Sequence, residues 1–545
     1  MVKFTKEEVM SIKKSDSPKL PIKNLCDFKN SVKQFSFSDF WEKFIQSYTY
    51  KSRPDLVGEP SLFDIDLQSP DMCLDNIGEL YEISLEINNK ISKKEMGKYF
   101  TPKDVAKFMA HRLLENFNIK TDSLADVCCG TGNLIIEVLS LLNAKQIEML
   151  IKNNRIHLYD IDEEALKLAL MKIAIIFIKK GDIKTYQQLG TLINIRCGNF
   201  LDSQIELAPN SVVISNPPYG KIPSKLSVEK NLITHKDTNE MYAVFMEKIA
   251  LQCKRAVIIT PQSFLGGDKF SSLRSILSKF GGSVFSFDNV PATIFTGRKK
   301  GIFNTNTANS VRAAITMIDK TEKGFIISPM LRFNCDEREF LFDNADKLLG
   351  HVRYSTSEPW LKVPKTLEPL ASKLPSCSYK VKDLLTDLPI FQDKKYKINI
   401  PTTPRYFITG SHKELNRSSC IEIFAKDEKS FYLLYAMINS SLSYLWWRMY
   451  DGGITLKKST LLNLPVPNLS INSIKEAVED GLHSESKFLV CKLNSGKNNE
   501  NIKFPASYRK RLNDAILSNI GLPLMGEQLF SVHSNSLKKV FQFWS

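Results

Sequence analysis

The chain lacks any CxxC pair. Its ten cysteines are scattered, and the one adjacent pair, Cys128-Cys129, sits inside a glycine-rich turn. That argues against a cysteine zinc framework and a disulfide scaffold, so the cysteines are expected as free thiols in a reducing cytoplasm, with no metal site. No apolar run approaches the ~20 residues that span a bilayer. The start, MVKFTKEEVMSIKKSD, is too charged for a secretory signal. There is no internal repeat, and Pro54-Asp55 has no acid-x-Lys partner nearby, which leaves no PD…(D/E)xK nuclease pattern. Acidic residues are in deficit: 59 against 74 basic ones, a formal net charge of +15. Such a balance favours a polyanionic partner, DNA or RNA. It does not locate that partner, because the excess is shared, about +7 over residues 1–330 and about +8 over 331–545. With 545 residues and 43% hydrophobic content, the chain has the length for two or three ordinary globular domains.

What is present is a rhythm. Residues 1–90 read as mainly helical, with a helix over 38–48 capped by Ser38 and another over about 75–93. Pro102 stands at a helix start with Thr101 as its cap. Apolar strand candidates then alternate with helices: 124–128, 156–160, 192–197, 212–215, 256–260, 283–287 and 311–318. This pattern predicts a mostly parallel, doubly wound α/β sheet of seven strands, the last two forming an antiparallel pair at one edge. After about residue 330 the rhythm breaks. Segment 352–410 reads as Pro- and Lys-rich with short strand-like pieces, 430–450 as an apolar, aromatic helix pair or one long helix, and 482–502 as an excursion with a flexible tip. The expected divisions are a helical region at 1–90, a catalytic domain at 91–330 and a mixed α+β domain at 345–545.

The chemistry sits at strand ends, where ligands bind in such sheets. Asp126-Val127-Cys128-Cys129-Gly130-Thr131-Gly132 leaves the first strand and opens a helix. Glycines there let a ligand approach the backbone, and helix-start N–H groups attract a carboxylate; by itself the segment also fits an ordinary strand–helix turn. The next strand ends in Tyr159-Asp160-Ile161-Asp162, placing an acid about 30 residues on, where it can accept from ribose hydroxyls. Asp160 is the better candidate, and Asp162 fits a helix cap. The third strand ends in Gly198-Asn199-Phe200: an amide able to bond an adenine edge, and an aromatic that can stack on a base or belong to the core. Asn216-Pro217-Pro218-Tyr219-Gly220 follows the fourth strand. Two prolines stiffen that turn. The Asn216 side-chain oxygen and the Pro217 carbonyl can both accept from a planar NH2 group, whose delocalised lone pair makes it a poor nucleophile. Catalysis there needs positioning more than a strong base.

The order GKYFTP, ADVCCGTG, YDID, GNF, NPPYG resembles the gamma-class (TaqI-like) N6-adenine DNA methyltransferases of bacterial restriction–modification systems. The resemblance covers roughly residues 75–320. It implies a class I S-adenosylmethionine-dependent, Rossmann-like fold, a helical N-terminal region and a C-terminal target-recognition domain. It implies cofactor roles for Tyr99, Thr101, Asp126, Cys128, Gly130, Gly132, Asp160, Asn199 and Phe200. Target-base roles fall to Asn216, Pro217, Tyr219 and Phe295, with Phe303 a rival to Phe295. Arg298, Lys299 and Lys300 suit DNA phosphates or a solvated loop. Asn199 stands where the family commonly has Asp, and Val127 where Pro is common. The expected partner is double-stranded DNA, with adenine flipped between Tyr219 and Phe295. The chain is further expected to be a monomer in the cytoplasm, bacterial or phage-encoded, with any cognate restriction endonuclease acting separately. RYFITG, MINSSLSYLWW and LLNLPVPNL resemble target-recognition segments more weakly; Trp446 and Trp447 fit packing better than readout. An RNA or protein-glutamine methyltransferase, a modification subunit of a multisubunit system and a non-catalytic DNA-binding protein are the competing readings. Removing residues after 345 is expected to spare cofactor binding.

Overall fold

The computed structural model describes residues 35–57, 77–87, 101–179, 186–295, 311–386, 396–417, 419–450, 455–494 and 497–545, with positions 28, 32, 33, 74 and 453 besides. In chain order the elements that build the site are α1 (Phe37–Ser52), α2 (Ile77–Ile87), α3 (Lys103–Leu114), β1 (Ser123–Val127), α4 (Asn133–Ser140), β2 (Ile156–Asp160), α5 (Glu163–Phe177), β3 (Asn194–Cys197), β4 (Ser211–Ser215), α6 (Met241–Gln252), β5 (Arg255–Pro261), β6 (Gly281–Phe287), β7 (Ala313–Asp319) and β8 (Gly324–Leu331).

The eight strands lie in the order β3-β2-β1-β4-β5-β7-β6-β8. β1 pairs parallel with both β2 and β4, and β7 runs antiparallel between β5 and β6. Every residue of β1 and β4 is buried, as a sheet covered by helices on both faces requires. The chain winds outward from β1 to β3, then returns to β4 on the other side of β1. That reversal creates the crevice where doubly wound sheets bind ligands.

Two expectations change. The antiparallel strand β7 lies inside the sheet, because an eighth strand, β8, pairs parallel with β6 and forms the edge. Pro329 hid it, since proline argues against a regular strand. Here Ser328 and Pro329 fall in a register shift opposite Val284–Ser286, where no ladder N–H is needed. The helix cap also moves. Ser36, not Ser38, accepts from the Asp39 N–H, while the Ser38 hydroxyl donates to Glu164 on α5.

The N-terminal helices do not stand apart. Phe40, Trp41, Phe44 and Ile45 of α1 are fully buried and belong to the same core as the sheet. The Trp41 indole donates to Ser84 of α2 at 3.0 Å, the partner a buried Trp N–H needs. That first core continues through Leu348 and Trp360, and regains Leu537, Val540 and Trp544 from the last helix. A second core runs from Val363 to Val532. The change of core therefore falls after residue 360, later than the expected 345. Trp360 stacks on Phe325 of β8 at 4.9 Å, so cutting the chain at 345 would remove part of the first core.

Within the second core, 428–450 is a helix pair, Glu428–Asn439 and Ser441–Tyr450, broken at Ser440. Trp446 and Trp447 are buried in it. The 482–502 excursion is the end of a helix followed by a β-hairpin, Leu489–Asn494 against Lys497–Ile502. No helix among the described residues is long and apolar enough to cross a membrane.

The two cores meet over a buried ion cluster. Asp288, just past β6, accepts from Arg312 Nε at 2.9 Å and Arg332 Nε at 3.1 Å. It also pairs with Arg448 Nη2 at 2.8 Å, from the Ser441–Tyr450 helix.

Candidate active site

Register brings the two motifs together. Val127 and Ser215, the last residues of β1 and β4, are paired across the ladder, and the Ser215 hydroxyl donates to the Val127 carbonyl at 2.5 Å. Cys128 and Asn216 therefore leave the sheet side by side.

The turn after β1 is left-handed three times, at Cys128 (φ 64°), Gly130 (φ 51°) and Gly132 (φ 80°). Glycine is required at 132 on two counts: the positive φ, and a side chain that would meet the Ala169 Cβ at 2.9 Å. Gly132 thus serves helix packing and does not line the cavity. Gly130 does, and the space where its side chain would stand is open. The Gly130 N–H donates to Asp160 Oδ2 at 2.7 Å, and the Asp162 N–H donates to Asp160 Oδ1 at 3.0 Å. These bonds hold the carboxylate at the cavity wall.

Asp126 is placed differently. It is fully buried beneath the turn, outside the cavity lining, and accepts from the Ile135 N–H at 3.2 Å. Burial pushes its pKa well above the carboxylate range, and the nearby Asp160 charge adds to this. It braces the start of α4 from below.

The cavity measures about 360 Å³, inside the size range of small-ligand sites. Thr101, Cys128, Gly130, Asp160, Asn199, Phe200 and Asn216 all line it. Asn199 is held at both ends: its oxygen accepts from the Leu201 N–H at 3.1 Å and its NH2 donates to the Ser227 carbonyl at 2.5 Å. Phe200 satisfies both readings of it. It is buried and stacks on Phe245 at 5.7 Å, yet it presents surface to the cavity.

Thr101 does not cap α3. The residue at the cap position is Pro102, which has no side-chain bond. The Thr101 hydroxyl instead accepts from Asn216 Nδ2 at 2.9 Å. That bond orients the amide and turns Oδ1, the acceptor, away from Thr101.

Tyr219 and Phe295 are both buried and in contact, but edge to face: centroids 6.2 Å apart, planes at 67°. A base stacked between parallel rings needs two gaps of about 3.5 Å, so the rings do not form the expected pair of plates here. The Tyr219 hydroxyl donates to the Ile259 carbonyl at 3.1 Å, which fixes that ring. Pro217 is buried, and Pro218 lines the cavity beside Asn216. Tyr99, Arg298, Lys299, Lys300 and Phe303 lie outside the described residues.

Sequence reasoning missed one whole wall. Tyr81, Glu82 and Leu85 of α2 line the cavity, and the Tyr81 hydroxyl donates to Asp162 Oδ1 at 2.6 Å. Asp162 caps α5 as expected, accepting from the Ala165 N–H. Burial, reinforced by the Asp162 charge, keeps Tyr81 protonated far above its ordinary range. Nothing in the α2 sequence signals this contact. Ile161 was also missed, although an apolar residue between two acids is a visible cue; it is 60% exposed and lines the cavity. Tyr81→Phe should weaken binding of a ligand in this cavity by about 3- to 10-fold, because a hydrogen bond to a charged group is lost where α2 meets α5. Calorimetric titration with S-adenosylmethionine checks this, and unchanged affinity would mean that α2 is a passive wall. Among the described residues no cluster of His, Cys, Asp or Glu could hold a metal.

Residues 73–323 match the family described as N-6 DNA Methylase. The chain is 25% identical over 260 residues to the type II methyltransferase M.VspI of Vibrio sp. (strain 343), covering 45% of this chain and 58% of that one. It is 25% identical over 367 residues to the type II methyltransferase M.BanIII of Aneurinibacillus aneurinilyticus, covering 60% of each. The chain thus spans about three fifths of the length of these curated relatives. Among solved structures, the type IIG restriction endonuclease BpuSI aligns with a TM-score of 0.39 and 11% identity, over 97% of this chain and 77% of that one. The resemblance to adenine methyltransferases of restriction–modification systems is borne out by the family match and the relatives. The match to that family implies use of S-adenosylmethionine.

Proposed function

We propose that the chain is a site-specific DNA methyltransferase of the gamma-class order. It would move a methyl group from S-adenosylmethionine to N6 of an adenine extruded from double-stranded DNA. The observation that carries this reading is the side-by-side exit of the Gly-rich turn and Asn216 from paired strands, onto one cavity.

The residues present fit the cofactor. The open space over Gly130 admits it close to the backbone. Asp160, already oriented by two N–H groups, would accept from ribose hydroxyls. Ile161 and Phe200 offer apolar faces to its adenine, with Asn199 at the ring edge, and Tyr99 falls to the methionine end. When bound, S-adenosylmethionine supplies a methyl group on a sulfonium centre. The protein's own part is to position the nucleophile. Asn216 Oδ1 and the Pro217 carbonyl accept from the two N6 hydrogens, which draws the lone pair out of conjugation and aims it along the transfer axis. Thr101 keeps the amide from rotating. Phe295 would turn from its edge-on contact to admit the base beside Tyr219.

The charge of +15 supports a nucleic-acid substrate. The second core, Val363 to Val532, is the part we assign to sequence recognition. Arg298, Lys299 and Lys300 are assigned to DNA phosphates. We further propose that the chain works as a monomer, with any cognate endonuclease separate.

The test is single-molecule sequencing of DNA from a methylation-free bacterial host that expresses this chain alone. N6-methyladenine in one short motif is the expected result. Unmodified adenine, from protein shown to be folded and to bind S-adenosylmethionine, would instead point to a missing specificity subunit or to an RNA or glutamine substrate.

A further inference from the structure

Phe295 closes a segment whose backbone is gripped by one side chain. Arg338 Nη1 donates to the Thr293 carbonyl at 2.9 Å and Nη2 to the Ile294 carbonyl at 3.0 Å. The same guanidinium forms a two-pronged pair with Asp104, Nε to Oδ2 at 2.6 Å and Nη2 to Oδ1 at 2.8 Å. Asp104 lies in the first turn of α3, three residues after Thr101. Thr101 accepts from Asn216, and Asn216 is joined through two prolines to Tyr219, whose ring touches Phe295. These contacts close a ring that joins Asn216 to the Phe295 segment. One arginine, reaching in from the helix at 338–344, completes it.

We propose that Arg338 is a positioning residue for methyl transfer, fixing the Phe295 wall at a set distance from Asn216 through Asp104 and α3. This inference rests on the function proposed above. The chemistry of the side chain suits the task. A planar guanidinium can meet a carboxylate with two parallel bonds while donating to two carbonyls, which an ammonium on a flexible stem cannot reproduce. Its place is also informative: Arg338 is 13% exposed and Asp104 42% exposed, so the mostly buried guanidinium joins α3 to the Phe295 segment near the surface. Its value lies in geometry, where a shift of about 1 Å in a reacting group can cost about 100-fold in rate.

The experiment is single-turnover methylation of duplex DNA carrying the recognition motif, with Arg338→Met, Arg338→Lys and Asp104→Asn compared with the wild-type chain. Arg338→Met should lower the single-turnover rate about 10- to 100-fold, with affinities for S-adenosylmethionine and DNA within about threefold of wild type. Arg338→Lys should recover part of the rate. Adding Asp104→Asn to Arg338→Met should cost little more, because both break the same link. A wild-type rate in Arg338→Met would overturn the proposal, as would a rate loss matched by equal losses of cofactor affinity and melting temperature. If Arg338→Met does not fold, the other two variants decide: a loss confined to rate supports the proposal, and no loss overturns it. A wild-type chain that methylates no adenine would overturn the functional reading itself, and that is seen before any variant is made.

Discussion

Asn216→Ala should lower methyl transfer by about 100- to 1,000-fold while S-adenosylmethionine still binds within about threefold of wild type. The size follows from what is removed. A preorganised polar group that acts only on the developing transition state is worth about that much in other enzymes, and the bond to Thr101 at 2.9 Å helps preorganise Asn216. The cavity keeps Gly130, Asp160 and Phe200 in its lining, so those cofactor contacts remain in the variant. Asn216→Asp makes the sharper comparison. A carboxylate keeps the acceptor oxygen but loses the NH2 donor, and the Thr101 hydroxyl can reverse its role and donate instead. That variant should retain more activity than alanine, and Asn216→Asp with Thr101→Val should lose it again. Single-turnover rates on a methylatable duplex, with calorimetry for the cofactor, check all three. An alanine variant with more than a tenth of the wild-type rate would remove Asn216 from the mechanism.

The sequence made the sheet legible because burial on both faces leaves apolar runs, as in β1 and β4, while β3 at the edge, Asn194–Cys197, is half-exposed. β8 is not legible that way, since its proline sits in a register shift that only pairing reveals. Local motifs carried the site as far as residue types and strand ends. What they could not carry was contact between distant segments. The Thr101–Asn216 bond spans 115 residues, and a threonine before a proline at a helix start reads more simply as a cap. The Tyr81–Asp162 bond spans 81 residues, and no pattern in α2 points to it. Asp126 shows the opposite error: a motif position that belongs to a ligand-binding turn by sequence faces the core by geometry. Edge-to-face packing of Tyr219 and Phe295 is likewise a property of the folded interior, where aromatic quadrupoles favour that arrangement when no base lies between them. The last helix, Leu537–Trp544, returns to the first core because its apolar face needs cover, and sequence position alone assigns it to the wrong core.

Asp288→Asn should destabilise the protein by about 3–5 kcal/mol at pH 7, the usual cost of breaking a buried ion pair by removing one partner. Asp288 is fully buried, and the three arginines it serves are each less than a tenth exposed. Without the carboxylate they would face one another with no counter-charge. Burial alone would raise the Asp288 pKa, but the charges of Arg448, Arg312 and Arg332 outweigh it and hold the group well below the ordinary carboxylate range. The sign of the pH dependence follows. A carboxylate whose folded pKa is depressed contributes its full stability above the unfolded value of about 3.9 and loses it as pH falls towards the folded value. The gap between wild type and Asp288→Asn should therefore be constant from neutral pH down to about 5, then narrow in more acidic buffer. Urea midpoints of both proteins across that range measure it. A gap that widens on acidification would mean that the arginines, and not the carboxylate, set the stability of the cluster. Burial meanwhile lowers the Arg448 pKa to about 10, so its charge is costly to strand without a partner. Arg448→Met added to Asp288→Asn should then restore part of the lost stability, because a buried charge is replaced by an apolar chain of similar reach. The second substitution would rescue the first only if surplus positive charge, and not a lost packing contact, is what weakens the junction between the two cores.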